Sequence, residues 1–325
     1  MTNPETLNNE RTFDSINAGY DAVFAPGRLS IGLVVPIEAY SNGPVPSMEQ
    51  HIERAQMAEA LGFSAIWLRD VPFNVPSFGD AGQVFDPFVY LGALTAQTSS
   101  IALGVASIVL PLRHPAHVAK AAATADALSN GRLILGIASG DRPVEYPALN
   151  LSFEKRGESF RQSYDYIRQM GIDRPRFANA FGQVGSGMDM LPKPVGGKLP
   201  LLVTGSSQQA NEWIAANGDG WMTYPRPARA QSQVIGELRA RIAAAGETDK
   251  PVMEPLYLDL VADPDTPPTP IHLGIRTGIH HLRDYLATRR HIGVNHVALN
   301  LRFNRANTES TLANLADEVI PEFSH

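Results

Sequence analysis

The sequence predicts an α/β fold, a (β/α)8 barrel (a TIM barrel) with a long insertion after its fourth strand. Three observations predict it. Eight short apolar runs are each bounded by turn residues, helical patterns alternate with them, and one irregular stretch, 171–199, interrupts the alternation. Strands of a parallel sheet are buried on both faces and read as continuous apolar runs. Strands alternating with helices build βαβ units, which close into a barrel.

The clearest unit is IALGVASIVLPLRHPAHVAKAAATADALSNGRLILGIASGDRPVE, residues 101–145. IALGV and LILGI are its two strands. Pro115 suits a first helical turn, where its missing N–H has no helical partner. Asn130 or Gly131 can take the left-handed conformation that ends the helix.

The other elements follow in order. Residues 1–28 are polar and aperiodic up to AVFAPGRLS, and are expected to be an extension over the barrel or partly disordered. One barrel domain is expected over 29–325, with the excursion at about 171–199. IGLVVP (31–36) is strand one. Ser47 is expected to cap a helix over 48–61, ended by Gly62. SAIWL is strand two, followed by a Pro/Gly loop over 69–86. Pro87 opens a helix to about residue 98. Residues 101–105 and 133–137 are strands three and four. A helix over 155–170 precedes the excursion, whose length without periodicity points to a functional segment, read as a lid over the mouth. LLVT, GWMT, PLYLDLVA and HVALNL are strands five to eight, with helices ending near residue 217 and over 227–245, 278–292 and 308–319. DPDTPPTP is a turn-rich loop.

Composition narrows the function. The chain has 325 residues, 44% of them hydrophobic, and a net charge of −6. That balance disfavours nucleic acid or an anionic membrane as partner. There is no cysteine, so thiol catalysis and Cys-ligated metal are excluded. The first residues, MTNPETLNNERTF, lack a basic and then apolar leader pattern, and no run approaches a membrane span; a cytoplasmic protein is expected. His280, His281, His291 and His296 have no ligand spacing, so no metal is expected, and no P-loop or G-x-G-x-x-G follows a strand.

A barrel puts its chemistry at the C-terminal ends of its strands. LLVTGSSQQANEW ends a strand and opens a helix, so Gly205, Ser206 and Ser207 either seat a phosphate or simply cap the helix. Ala106 and Ser107 follow strand three, where small residues let a flat ring approach or merely fit a crowded rim. Ser139, Gly140, Asp141, Arg142 and Glu145 follow strand four; Arg142 can fork onto an oxyanion, or pair with its neighbours. Arg69, Asp70, Glu38 and Tyr40 lie on the same rim. His114 is either an acid, base or donor, or a helix-start residue bonded to backbone. Asp126 and Arg132 are expected to form a buried pair, and Trp67, Trp213 and Trp221 to pack.

The blocks AEALGFSAIWLRD, GVASIVLPLRHPAHVAKAAATADALSNGRLILGIASGD and PLLVTGSSQQANEWIAANGDGWM, in that order, resemble the bacterial luciferase-like flavin monooxygenases. The resemblance covers about residues 31–301 and implies a TIM barrel using reduced FMN or, in one branch, the deazaflavin F420. It implies a non-prolyl cis peptide at Ala106–Ser107 beneath the flavin ring. Ser139, Gly140 and Arg142 would line the flavin, Gly205, Ser206 and Ser207 would hold its phosphate, and Arg156 would stand on the phosphate side. Asp70 falls where many members have a Glu near the ring. The luciferases proper carry histidines directly after that acid, whereas Val71 and Pro72 stand here, so light emission is not expected.

The expected function is oxidation of a small organic substrate by O2 and reduced FMN, the latter supplied by a separate flavin reductase. Arg142 and His114 are the candidate catalytic contacts. The alternatives are an F420-dependent dehydrogenase and a non-catalytic flavin-binding relative. QQANEW offers no basic groove for the acidic tail of F420, which favours FMN. A homodimer is a further expectation from the resemblance.

Overall fold

Eight strands close into a parallel barrel in a computed structural model that describes residues 12–323. After helix α1 (Ala18–Val23) come β1 (Ser30–Val34), α2 (His51–Ala60), β2 (Ala65–Leu68), α3 (Pro87–Gln97), β3 (Ala102–Val109), α4 (Pro115–Leu128) and β4 (Leu133–Ala138). Next are α5 (Glu145–Ala148), α6 (Arg156–Met170) and a small antiparallel hairpin, β5 (Phe177–Asn179) with β6 (Gly182–Val184). Then come β7 (Leu201–Thr204), α7 (Asn211–Asn217), β8 (Gly220–Met222), α8 (Ala228–Ala244) and β9 (Val252–Leu260). A second hairpin, β10 (Thr269–Ile271) with β11 (Gly274–Thr277), precedes α9 (Ile279–His291), β12 (His296–Asn300), α10 (Thr308–Glu318) and α11 (Ile320–Phe323). The barrel runs β1-β2-β3-β4-β7-β8-β9-β12 and closes where β12 pairs with β1. No helix among the described residues is long and apolar enough to cross a membrane.

The apolar residues sort into two layers. One lies between strands and helices and includes Ile66, Leu68, Leu103, Leu135, Leu201 and Leu258. The other fills the barrel bore, where Trp67 packs with Val34, Ile134, Leu202, Met222 and Met253. Gly104 on β3 makes room for Trp67: a Cβ there would stand 2.2 Å from the indole.

His296 sits in the same bore. Trp67 Nε1 donates to its Nε2 at 2.8 Å, and its Nδ1 lies 2.7 Å from Ser30 Oγ, which itself donates to the Val23 carbonyl. The ring is thus a neutral Nδ1–H tautomer, assigned from its partners. Complete burial pushes its pKa down to about 3. The unfolded ring takes up a proton below about pH 6.5, the folded one only near pH 3. Its stabilising contribution is therefore full above pH 6.5 and is lost as pH falls toward 3. At pH 4.5 the wild type is expected to lose roughly 2–3 kcal/mol from this ring. Urea denaturation of wild type and His296→Asn at pH 7.5 and 4.5 checks this; equal pH slopes would refute it.

Several expected boundaries move. The second helix begins at His51, because Glu38 binds the Ser47 amide (2.6 Å) and hydroxyl (3.0 Å) and Gln50 turns left-handed at φ 54. β3 runs four residues past Val105 with a register shift between Val105 and Ile108, and β9 starts three residues before Pro255. The loop after β9 contains β10 and β11, and β11 adds to the edge of β9. These strands are too short and polar for periodicity to show them.

The expected Asp126–Arg132 pair does not form. Asp126 accepts from Asn17 Nδ2 at 2.9 Å and the Val195 amide at 2.8 Å, while Arg132 donates to Thr98 and to the Ser129 and Ile101 carbonyls. Each is satisfied instead by hydrogen bonds to backbone or neutral side-chain groups.

Residues 1–11 of the expected extension lie outside the described residues. Residues 16–25 do not lie over the barrel but enter its floor. Ile16, Tyr20, Val23 and Phe24 pack under Trp67, Met222 and Met253. Tyr20 donates to the Asp219 carbonyl at 2.7 Å, and Asn295 Nδ2 to the Ala25 carbonyl at 3.1 Å.

The excursion over 171–199 is not a lid either. It descends the outer wall along α4 and α6: Lys120 bonds to the Leu191 carbonyl, Arg168 to the Leu199 carbonyl at 2.7 Å, and Gly196 rests against Ile16 at the floor. None of these residues lines the cavity at the barrel mouth.

Candidate active site

The strand C-terminal ends surround an open cavity of about 750 Å³, within the size range of ligand pockets. It gathers most of the residues read from the sequence: Asp70, Ala106, Ser107, Ser139, Gly140, Arg142, Arg156, Gly205, Ser206 and Ser207 all line it.

One end is built by the turn after β7 and the start of α6. The helix expected at Gly205 begins only at Asn211. Residues 205–210 form a turn in which Ser207 and Gln208 take positive φ, 46 and 59. Gly205 N–H donates to the Met222 carbonyl and Ser207 Oγ to the Thr204 carbonyl, which pin the turn to the barrel. The amides of Ser206, Ser207 and Gln208 have no acceptor among the described residues. Successive amides of this kind form an anion-binding concavity. Arg156 enters beside them from the first turn of α6. Its guanidinium lies 3.7 Å over the Phe153 ring, and its Nε is buried without an acceptor. Gln209 clamps the two elements, donating to the Gly157 carbonyl at 2.8 Å and accepting from Arg161.

The middle wall is β3 and β4. The Ala106–Ser107 peptide is cis. Ser107 Oγ hydrogen-bonds Thr204 Oγ1. Ser139 accepts from Tyr146 through its carbonyl, and Gly140 turns at φ 77. Asp70 closes this wall, though its carboxylate is already taken: Arg113 donates through Nε at 3.0 Å and Nη2 at 2.7 Å, and the Val109 amide at 3.1 Å.

The far end centres on Asp80. It accepts from Arg69 (2.7 Å), Tyr40 (3.1 Å), Tyr257 (3.2 Å) and the Gly82 amide (2.9 Å), and Arg302 stands 3.3 Å away. Burial alone would raise its pKa, but Arg69 and the Gly82 amide outweigh it and hold it below the usual carboxylate range. Burial pushes Tyr257 up to about 12, keeping it a donor. Arg142 stacks 4.8 Å from the Phe78 ring, 3.9 Å from Glu145.

His114 does not reach the cavity. Its Nδ1 accepts from the Ala116 amide as the cap of α4, and its Nε2 lies 3.2 Å from the Phe181 carbonyl. Facing the outer wall, it is structural. Glu38 is likewise held away by Ser47. The sequence reading missed Asp80, Arg113, Tyr257 and Arg302. Arg302 had a signal, two residues past the end of β12 on the functional rim. Asp80 had none, since it lies in an irregular loop.

The sequence profile of the luciferase-like monooxygenases matches residues 23–265, well over half of the chain. The chain belongs to the luciferase-like monooxygenase family. Among its relatives, an uncharacterised protein of Mycobacterium tuberculosis is 31% identical over 228 residues, covering 65% of this chain and 79% of the relative. An FMNH2-dependent dimethylsulfone monooxygenase of Pseudomonas fluorescens is 30% identical over 194 residues, covering 58% of this chain and 52% of the relative. Solved structures share the fold. The monooxygenase RslO1 from Streptomyces bottropensis superposes with a TM-score of 0.75 at 18% identity, over 90% of this chain and 99% of that one. A coenzyme F420-dependent tetrahydromethanopterin reductase from Methanopyrus kandleri gives 0.72 at 15% identity, over 91% and 99%. This luciferase-like barrel thus has neighbours that use either kind of flavin.

Proposed function

We propose that this luciferase-like protein is a monooxygenase that uses reduced FMN and O2 on a small organic substrate. A separate cytoplasmic reductase would supply the reduced flavin. The observation that carries the reading is the cavity end where three acceptor-free amides meet the unsatisfied Nε of Arg156. That donor set fits a phosphomonoester, and the relative from Pseudomonas fluorescens carries FMNH2 in its name. Reduced flavin, when bound, supplies two electrons to dioxygen.

The chain's own residues then have definite tasks. The amides of Ser206 to Gln208 and the Arg156 guanidinium bind the phosphate dianion. The Ala106–Ser107 peptide, Ser139 and Gly140 form the wall against which the ring rests. Asp70, fixed by Arg113, holds the Val109 backbone and so the depth of that wall. Phe78, stacked by Arg142, borders the far end.

The F420 reading keeps the same site and is favoured by the fold neighbours that use that cofactor. Titrating the purified protein with FMN and with F420, then following oxygen uptake with reduced FMN over a substrate panel, separates the readings. FMN binding with substrate-stimulated oxygen uptake is expected. Tight F420 binding without FMN binding would replace the monooxygenase by a dehydrogenase. FMN binding with no oxygen uptake on any substrate would favour a non-catalytic relative.

A further inference from the structure

Two elements far apart in sequence build the cavity end beside Arg156: the first turn of α6 and the turn over 205–210 after β7. The gap between them is fixed by a joint behind the cavity wall. Gly157 and Gln209 form this joint, and neither lines the cavity.

Gln209 is buried, and every hydrogen-bonding position of its side-chain amide is taken. Nε2 donates to the Gly157 carbonyl at 2.8 Å and to the Ser207 carbonyl at 3.1 Å. Oε1 accepts twice from Arg161, from Nε at 2.9 Å and from Nη2 at 2.8 Å. Turning the amide over would set its NH2 group against the guanidinium, so its orientation is fixed. The Ser207 carbonyl and the Gln208 N–H belong to one trans peptide and point opposite ways. Holding the carbonyl at Gln209 therefore aims that N–H the other way, where it has no acceptor among the described residues. The second tie, to Gly157, grips the residue next to Arg156.

Gly157 sets how closely the two elements approach. A Cβ there would stand 2.8 Å from Gln208 Cβ and 3.3 Å from the Gln208 carbonyl oxygen. Gln208 Cβ is attached directly to the backbone, so the turn itself would have to retreat. Gly157 is the only glycine in α6, at a position where alanine would be the better helix former. Close approach of the turn, not helix propensity, accounts for it.

We propose that Gly157 and Gln209 are positioning residues for the flavin phosphate. They set the gap between the amides of 206–208 and the Arg156 guanidinium so that one phosphate spans both. The proposal rests on the flavin reading, because it needs a phosphate at this end.

The test compares FMN with riboflavin by quenching of flavin fluorescence in wild type, Gln209→Met, Gly157→Ala and Arg156→Met. The ratio of the two affinities isolates the phosphate. Wild type is expected to prefer FMN at least about tenfold. Gln209→Met keeps the side-chain length and removes the ties, whereas Gly157→Ala keeps the ties and widens the gap. Each should cut the preference about three- to tenfold, with riboflavin affinity within about twofold of wild type. Adding Gln209→Met to Arg156→Met should change the ratio by less than about twofold, because the gap no longer matters once one side of it is gone. Thermal melts show which variants are folded, and either joint variant alone carries the test. Unchanged preference in a folded joint variant, equal loss of FMN and riboflavin, or losses that multiply in the double variant overturn the proposal, while wild-type preference for FMN keeps the flavin reading. A wild type that binds FMN and riboflavin alike, or neither, overturns the flavin reading and this proposal with it.

Discussion

Replacing Arg156 by methionine is expected to weaken FMN binding ten- to hundredfold and to leave riboflavin binding within about twofold. The two ligands differ only in the phosphate. Arg156 is positioned by its own neighbours: it lies 3.7 Å over Phe153 and donates through Nη1 to the Phe153 carbonyl at 3.0 Å. Methionine keeps the apolar stem over Phe153 and removes only the charge. A charge-assisted hydrogen bond contributes about 1.5–3 kcal/mol, which gives the stated range. Quenching of flavin fluorescence measures both affinities. Equal loss for FMN and riboflavin would mean that Arg156 supports the cavity rather than the phosphate.

The largest stability effect is expected at Gly104. Gly104→Ala should lose about 3 kcal/mol or more, because the new methyl would stand 2.2 Å from Trp67 Cε3 and 2.4 Å from Cζ3. Trp67 is fully buried and packed among Val34, Ile134, Leu202, Met222 and Met253. Tilting the indole would also break its 2.8 Å bond to His296, leaving a buried donor and a buried acceptor unpaired. The urea midpoint reads the loss. Adding Trp67→Leu to Gly104→Ala should recover part of it, since the clash and the fully buried N–H are both removed. A single variant within about 0.5 kcal/mol of wild type would show that the bore can repack.

The barrel was legible because burial on both strand faces leaves long apolar runs, and LILGI and SAIWL carry that mark without ambiguity. The site was legible wherever a residue comes soon after such a run: Ser107 just past IALGV, though inside the longer β3, Ser139 after β4 and Gly205 after β7. It was illegible where tertiary partners decide. His114 and Arg113 are adjacent in sequence, yet His114 turns to the outer wall and Arg113 turns in to Asp70. Asp80 matters because four side chains converge on it from three loops and β9, and no local pattern records convergence. The excursion misled for a related reason. Its lack of periodicity shows that it is irregular but not which side of the barrel it takes; the anchors that decide this, Lys120, Asp126 and Arg168, lie on α4 and α6.

The plug beneath the bore bears on how the molecule assembles. Tyr20 and Ala25 are bonded to positions 199 and 270 residues further along. A ribosome therefore releases the stopper first, yet it has nothing to seal until most of the chain has been made. Meanwhile Trp67 and its neighbours stay open to solvent from below, and the stopper seats only when the last staves arrive. Contacts of such sequence separation are slow to close.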